Sequence, residues 1–413
     1  MPLRLLHTAD WHLGQSLRGY SRDYEHGAAL DALVNVTAEK RPDVFVIAGD
    51  VFDSPNPSAE AQRLFFRTLV RLHEECPEMT MVVTAGNHDA AIRLEAPRDL
   101  LSTIGVQVVG NVRRLHGRTL PDRHLIPVFS GKGETLGHVL AVSYPTAACL
   151  PAVAAGEGIS PLVTAVEHLY ADLVEQTRER WEGLPLIVTG HLHVSGAQQS
   201  EGAERSILIG GENAIPASRL PGEAAYVALG HLHKPQATGA AQIRYSGSLI
   251  PLSASEIDYR HGVTVVDLDG GPANIEHVPL ARPVPFHRVP AKGFAPQAEL
   301  SGLLDSLRGP KDAPVDQRPF VYVRLSREGL SPAFREEIDQ LASDSGLRVL
   351  EIRLEELAGA GQEEAAGRDA APAPIPVDPA VLFRLAYQRT HQKEPTAAHA
   401  EIFQRACEEA QQA

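Results

Sequence analysis

Residues 43–53 read DVFVIAGDVFD: a continuous apolar run, Val44 to Ala48, stops at Gly49 and is followed at once by Asp50. A short apolar run bounded by such punctuation is the signature of a buried strand. The glycine lets backbone approach closely, and the carboxylate stands at a strand end, where α/β proteins place their sites. The same grammar recurs four times, in LRLLHTAD (3–10), MTMVVTAGN (79–87), LPLIVTGH (184–191) and AYVALGH (225–231). One rule thus nominates Asp10, Asp50, Asn87, His191 and His231. His12 and His233 follow two residues after Asp10 and His231, on the same side of extended chain.

Around these runs the first 110 residues alternate strand-like and helix-period segments. Helices are predicted over 22–40 and 58–75, the second with Leu64, Phe65, Leu69 and Leu72 along one face. Later runs, RSILIGG (205–211), QIRYSGS (242–248) and GVTVVDLD (262–269), are closer together and richer in β-formers. The expected class is α/β, a two-layered or sandwiched sheet flanked by helices over residues 1–283. Residues 284–356 read as a small α/β accessory domain, with strands at RPFVYVRLS and LRVLEIRLE and helices near 296–308 and 332–344. Residues 357–377 are rich in Ala, Gly, Glu and Pro and read as a flexible linker. Residues 378–413 form a helical tail: Asp378 and Pro379 make a helix start. Leu382, Phe383, Ala386 and Tyr387 face one way on its first helix, Ile402, Phe403 and Ala406 on its second. Docking to a partner is favoured over folding back, because two short helices bury little by themselves.

The chain has 413 residues, 43% of them hydrophobic, enough for one large core and a smaller unit. Its net charge of −14 argues against a uniformly basic nucleic-acid surface, but six acids against two bases fall between residues 351 and 370. Part of the imbalance, a net of −4, therefore lies away from the strand ends. Three scattered cysteines point to a reducing compartment rather than a disulfide framework. No signal peptide is apparent, and the longest apolar stretch is broken by Pro145 and Pro151. A cytoplasmic protein is expected.

Taken singly, a histidine in an α/β core or a GD after a strand is ordinary. Five occurrences in one context point to a shared metal site, and seven ligands are too many for one ion. They suit a pair of divalent ions, typically about 3.5–4 Å apart, as used in hydrolysis of phosphate esters.

DWH (10–12), GDVFD (49–53), GNHD (86–89) and GHLH (230–233), in that order, resemble the motifs of the calcineurin-like metallophosphoesterases. LHTADWHLG, GDVFDSPNPS and ALGHLHKPQ are similar, more narrowly, to the SbcD-type double-strand-break repair nucleases. The resemblance implies a metallophosphoesterase-type β-sandwich with a small α/β capping domain over the DNA groove. It implies two divalent ions, manganese being usual: Asp10, His12, Asp50 and His233 would hold the first, and Asp50, Asn87, His191 and His231 the second. His88 would face the scissile phosphate as a catalytic acid, with Asp53 orienting it and Asp89 behind. The tail would bind the coiled coil of an SbcC-type ATPase. Two copies would pair through helices carrying Phe65 and Phe66, within a heterotetramer that acts on DNA ends, hairpins and single strands in the nucleoid. Arg18, Arg22, Arg93 and Arg98 are candidates for phosphate contact, though arginines are more often solvated surface.

Two other readings compete. One is a small-molecule or cyclic-nucleotide phosphodiesterase or phosphatase, weakened because GDVFDSP and GNHD differ from the GDxxDRG and GNHE forms of protein phosphatases. The other is a DNA-end scaffold without chemistry, weakened because every expected ligand and His88 are present. GHLH also occurs at 190–193, where only His191 fits the strand-end rule and His193 is the spare.

Overall fold

Every residue of the run Val44–Ala48 is buried, because its strand is covered on both faces. In this computed structural model the described residues are 2–355, apart from 116–117, 147, 152, 154–159, 201–203, 205–213 and 310–311. Beyond these it describes 380, 383–384, 387–388 and 393–412. The run expected as a strand at 205–211, the linker 357–377 and the helix start at Asp378–Pro379 lie outside the described residues. The chain divides into two compact units, Met1–Pro283 with Glu408–Ala413, and Val284–Cys407.

The main elements of the first unit run in the order β1 (Leu3–Thr8), α1 (Asp23–Lys40), β2 (Val44–Ala48), α2 (Ala59–Glu75), β3 (Thr80–Thr84), β4 (Val106–Val109), β5 (Leu125–Phe129) and β6 (Thr135–Leu140). Then come α3 (Pro161–Trp181), β7 (Leu186–His191), β8 (Tyr226–Gly230), β9 (Gln236–Thr238), β10 (Ala240–Tyr245), β11 (Gly262–Leu268) and β12 (Asn274–Pro279). One six-stranded sheet has the order β12-β11-β1-β2-β3-β4, the other β9-β10-β8-β7-β6-β5. The strands that end in nominated residues are parallel neighbours: β1, β2 and β3 in one sheet, β7 and β8 in the other.

Alternation along the strands builds the layers. Val44 and Val46 join Leu3, Leu5, Ile187, Tyr226 and Ala228 in a core between the sheets. Phe45 and Ile47 point the other way, to Leu30 and Leu33 of α1 and Phe65, Leu69 and Leu72 of α2. The second sheet sends Val188 and Leu229 outward against Val166, Leu169 and Leu173 of α3. The result is a sandwich with helices on both outer faces. Helix α2 starts where Ser58 Oγ accepts the Ala61 N–H, and α3 where Ser160 caps a helix with Pro161 in its first turn.

Phe65, a candidate for pairing two copies, belongs instead to this core: it is 1% exposed and meets Trp11 and Phe52 edge-on. Both contacts brace the loops that follow β1 and β2. Phe66 is partly buried against the same cluster.

The second unit has a parallel sheet of β13 (Phe286–Val289), β14 (Phe320–Leu325) and β15 (Arg348–Leu354). Helices α4 (Leu300–Asp305) and α5 (Phe334–Asp344) supply Leu304 and Ile338 to its core beside Val321 and Val323. Toward the carboxyl end, Phe403 of α6 (Ala397–Gln412) stacks on Phe383 with centroids 4.4 Å apart.

Candidate metal centre

The loops after β1 and β2 run side by side, Asp10 N–H to Gly49 O, His12 N–H to Asp50 O and Leu13 N–H to Val51 O, each at 3.0 Å. Their side chains are aimed by left-handed backbone: φ is +53° at Asp10, +46° at His12, +49° at Asp50 and +100° at His231. Such conformations cost energy in non-glycine residues and gather at functional sites. The small residues of the motif have a concrete task here. A Cβ on Gly230 would lie 1.9 Å from Ala48 O, and one on Gly86 would lie 2.1 Å from Asp50 Oδ1.

Three overlapping sets of ligand atoms lie within 4.8 Å of one another: Asp10, His12 and His233; Asp10, Asp50 and His191; and His12, Asp50 and His88. Asp50 is thus shared between both ends of the cluster. Asn87 joins it through Oδ1, 3.0 Å from His191 Nε2. His231 belongs to none of these triads. Its ring centroid lies 5.6 Å from that of His191, and its N–H donates to Asp10 Oδ1 at 2.9 Å. His193 lies apart from the sets, its Nδ1 accepting from Gln199 Nε2 at 3.1 Å.

Each candidate ligand histidine whose Nδ1 contact is resolved donates that proton away from the cluster, which turns Nε2 inward. His12 donates to Asp53 Oδ1 at 3.3 Å, His191 to Ala48 O at 2.9 Å and His233 to Glu256 Oε1 at 2.7 Å. Asp10 Oδ2 and His12 Nε2 are buried and have no hydrogen-bond partner among the described residues. Buried polar atoms are ordinarily satisfied. These atoms converge as oxygen and imidazole donors, the set that divalent transition metals favour, so the residues fit the implied ions.

Electrostatics in the protein alone show the same crowding. Burial lowers the affinity of His191 for a proton, but Asp50 and Asp10 override it and push its pKa up to about 9. His233 is likewise opposed by burial and pushed up to about 10, chiefly by Glu256. Burial and the charge of His191 hold His231 well below the ordinary imidazole value. Asp50 stays well below the usual carboxylate range despite burial, held by His191, His88 and His12. Divalent ions would take over the balancing role of those protons.

Asp53 meets two histidines at once. The family resemblance assigns its carboxylate to orienting His88; here its main-chain carbonyl accepts the His88 Nδ1 proton at 2.8 Å, while its carboxylate takes His12. The main chain thus supplies the acceptor for His88, because the turn after β2 brings the Asp53 carbonyl within hydrogen-bond distance of Nδ1. Asp89 accepts the N–H groups of Gly86, Val51 and Phe52 at 2.9, 3.1 and 2.9 Å, tying the β3 loop to the β2 loop. Arg22 cannot reach a DNA phosphate: it is fully buried against Glu25, 2.7 Å away. Glu256 is a buried residue of the site that the strand-end pattern does not nominate. It sits on a single 3-10 turn, and no spacing in LSASEIDYR marks it.

Sandwich and cluster together define a metal-dependent phosphoesterase. The family model for calcineurin-like phosphoesterases matches residues 3–235. That for the type 5 capsule protein repressor C-terminal domain matches residues 282–391. The SbcD component of nuclease SbcCD from Rhodobacter capsulatus is 44% identical over 93% of this chain and 94% of its own length. Its namesakes from Bacillus subtilis and Escherichia coli are 38% and 33% identical, over 65% and 68% of this chain and 67% and 70% of their own. The chain belongs to the calcineurin-like phosphoesterases and, within them, to the SbcD nuclease family.

Proposed function

We propose that this chain is the nuclease subunit of a DNA repair and recombination complex, hydrolysing phosphodiester bonds with two divalent ions, most suitably manganese. The observation that carries this reading is the pair of buried atoms without a hydrogen bond, Asp10 Oδ2 and His12 Nε2, inside a cluster that shares Asp50 between two ligand sets. Asp10, His12, Asp50 and His233 hold the first ion, and Asp50, Asn87, His191 and His231 the second. The bound ions supply an activated water and neutralise charge on the phosphoryl oxygens. His88 protonates the leaving oxygen from Nε2, its Nδ1 being held by Asp53.

The relatives' name, which makes them one component of SbcCD, supports an ATPase partner of the SbcC type, bound through the helical tail, and a homodimer inside a heterotetramer. With that partner the chain acts as an exonuclease on duplex ends and an endonuclease on hairpins and single strands, in the nucleoid of a bacterial cytoplasm. Residues 284–356 serve as a DNA-binding accessory domain. Among the described residues no helix is long and apolar enough to cross a membrane.

Offering the purified chain a hairpin-ended duplex, a phosphopeptide and a cyclic nucleotide, with manganese or with chelator, tests the reading. Cutting of DNA alone, abolished by chelation, is expected; turnover of the phosphopeptide with none of the DNA would overturn it.

The two GHLH segments make unequal contributions. His191→Ala removes Nε2 from beside Asp50, 3.2 Å away, and is expected to cost one equivalent of bound manganese in equilibrium dialysis. His193→Ala is expected to keep both equivalents. Loss of an ion from the His193 variant would place that ring among the ligands instead.

A further inference from the structure

Resting on this two-ion reading, we infer that Glu256 is a positioning residue that makes the Asp10–His12–His233 ion site the tighter of the two. Glu256 is fully buried. One carboxylate oxygen accepts the Nδ1 proton of His233 at 2.7 Å and the other accepts the Leu252 N–H at 2.8 Å. The carboxylate therefore has a single orientation, and it fixes Nδ1 of His233 as the donor to it, leaving Nε2 for the side of Asp10 and His12. A carboxylate behind a ligand imidazole also makes that imidazole a stronger donor.

The rest of the loop is braced to hold Glu256 there. Gln15 Nε2 donates to Leu252 O at 3.2 Å, Arg22 Nη1 to Pro251 O at 2.5 Å and Arg282 Nη2 to Ile257 O at 2.7 Å. Gln15 and Arg22 come from the segment that follows the Asp10–His12 turn, so the loop bearing Glu256 is fastened to the loop bearing the same site's other ligands.

The asymmetry follows from what stands behind each histidine. His12 is backed by the Asp53 carboxylate and His233 by that of Glu256, whereas His191 is backed by the neutral carbonyl of Ala48. With Asp10, the shared Asp50 and Glu204, whose carboxylate accepts the His233 main-chain N–H at 3.4 Å, five carboxylates bear on the first site. On the second, Asp50 and Asp10 lie near His191 beside the neutral Asn87, and no carboxylate stands behind the His191 ring. A dication therefore enters the first site earlier and leaves it later.

Glu256→Gln separates this from a mere loop brace. One amide cannot accept from both His233 Nδ1 and Leu252 N, so either the ring tautomer reverses or the contact is lost. Calorimetric titration of the metal-free full-length protein with manganese is expected to show a tight and a weak step in wild type. His191→Ala removes the weak one. In Glu256→Gln the tight step weakens about 10- to 100-fold, with the weak step and the unfolding temperature of the metal-free protein near wild type. Asp53→Asn, which touches a different histidine and leaves the 252–259 loop alone, weakens the same step. An unchanged tight step in folded Glu256→Gln, or selective loss of the weak one, overturns the inference. Should Glu256→Gln not fold, an unchanged tight step in Asp53→Asn does so. Wild type that binds fewer than two equivalents overturns the two-ion reading itself, a distinct result.

Discussion

Replacing Asp50 by Asn is expected to abolish metal-dependent cleavage, lowering kcat/KM by about 10³-fold or more, while the protein stays folded. Asp50 is 1% exposed, lies 3.2 Å from His191 Nε2 and 3.6 Å from His12 Nε2, and accepts the His88 N–H at 2.8 Å. Its carboxylate is the one group common to both proposed ligand sets. A carboxamide is isosteric, and asparagine tolerates the left-handed φ of +49°, so the turn survives and the charge alone is removed. Two dications held close together would repel, and a shared anion would offset that repulsion. Several kcal/mol of lost stabilisation at about 1.36 kcal/mol per decade gives the stated magnitude. Cleavage assays over a manganese series, with circular dichroism as the folding control, measure it. A variant that regains full rate at high manganese would show Asp50 serving affinity alone.

The candidate ligands are legible in sequence because their positions follow from local rules. A strand buried on both faces must be apolar throughout, its end must expose a ligand, close packing of the two sheets requires glycine at Gly49 and Gly230, and the approach of Asp50 requires it at Gly86. Those constraints act within a few residues, so one sequence suffices to read them. The same reasoning fails where a contact joins distant segments. Glu256 reaches His233 across 23 residues, and nothing near it in the chain announces that. The motif puts Asp53 close to His88, but which of its oxygens meets which ring depends on how the β2 turn folds, not on its spacing from that histidine. Phe65 reads equally well as core or interface on an amphipathic helix, and only the positions of Trp11 and Phe52 decide for core. Helix α3 carries an explicit start in Ser160 and Pro161 and an apolar face through Val166, Leu169 and Leu173. The strand-end pattern passes over it because it bears no ligand.

His88→Asn is expected to slow DNA cleavage by about 10²- to 10⁴-fold, the usual worth of a positioned acid, with both ions and DNA still bound. The imidazole is buried, its main-chain N–H is tied to Asp50, and its ring stands edge-on to His12 with centroids 4.6 Å apart. With Nδ1 donating to the Asp53 carbonyl, the proton available to a leaving group is the one on Nε2. Asparagine preserves polarity and much of the volume but has no proton to yield. The 3′ oxygen of DNA departs poorly as an anion and needs that proton. A nitrophenyl phosphodiester, whose leaving group is stable as an anion, does not. The variant should therefore be far less impaired on the nitrophenyl ester than on DNA, while wild type cleaves both. Equal losses on the two substrates would reassign His88 to holding charge on the phosphoryl oxygens, and undiminished DNA cleavage would remove it from the chemistry altogether.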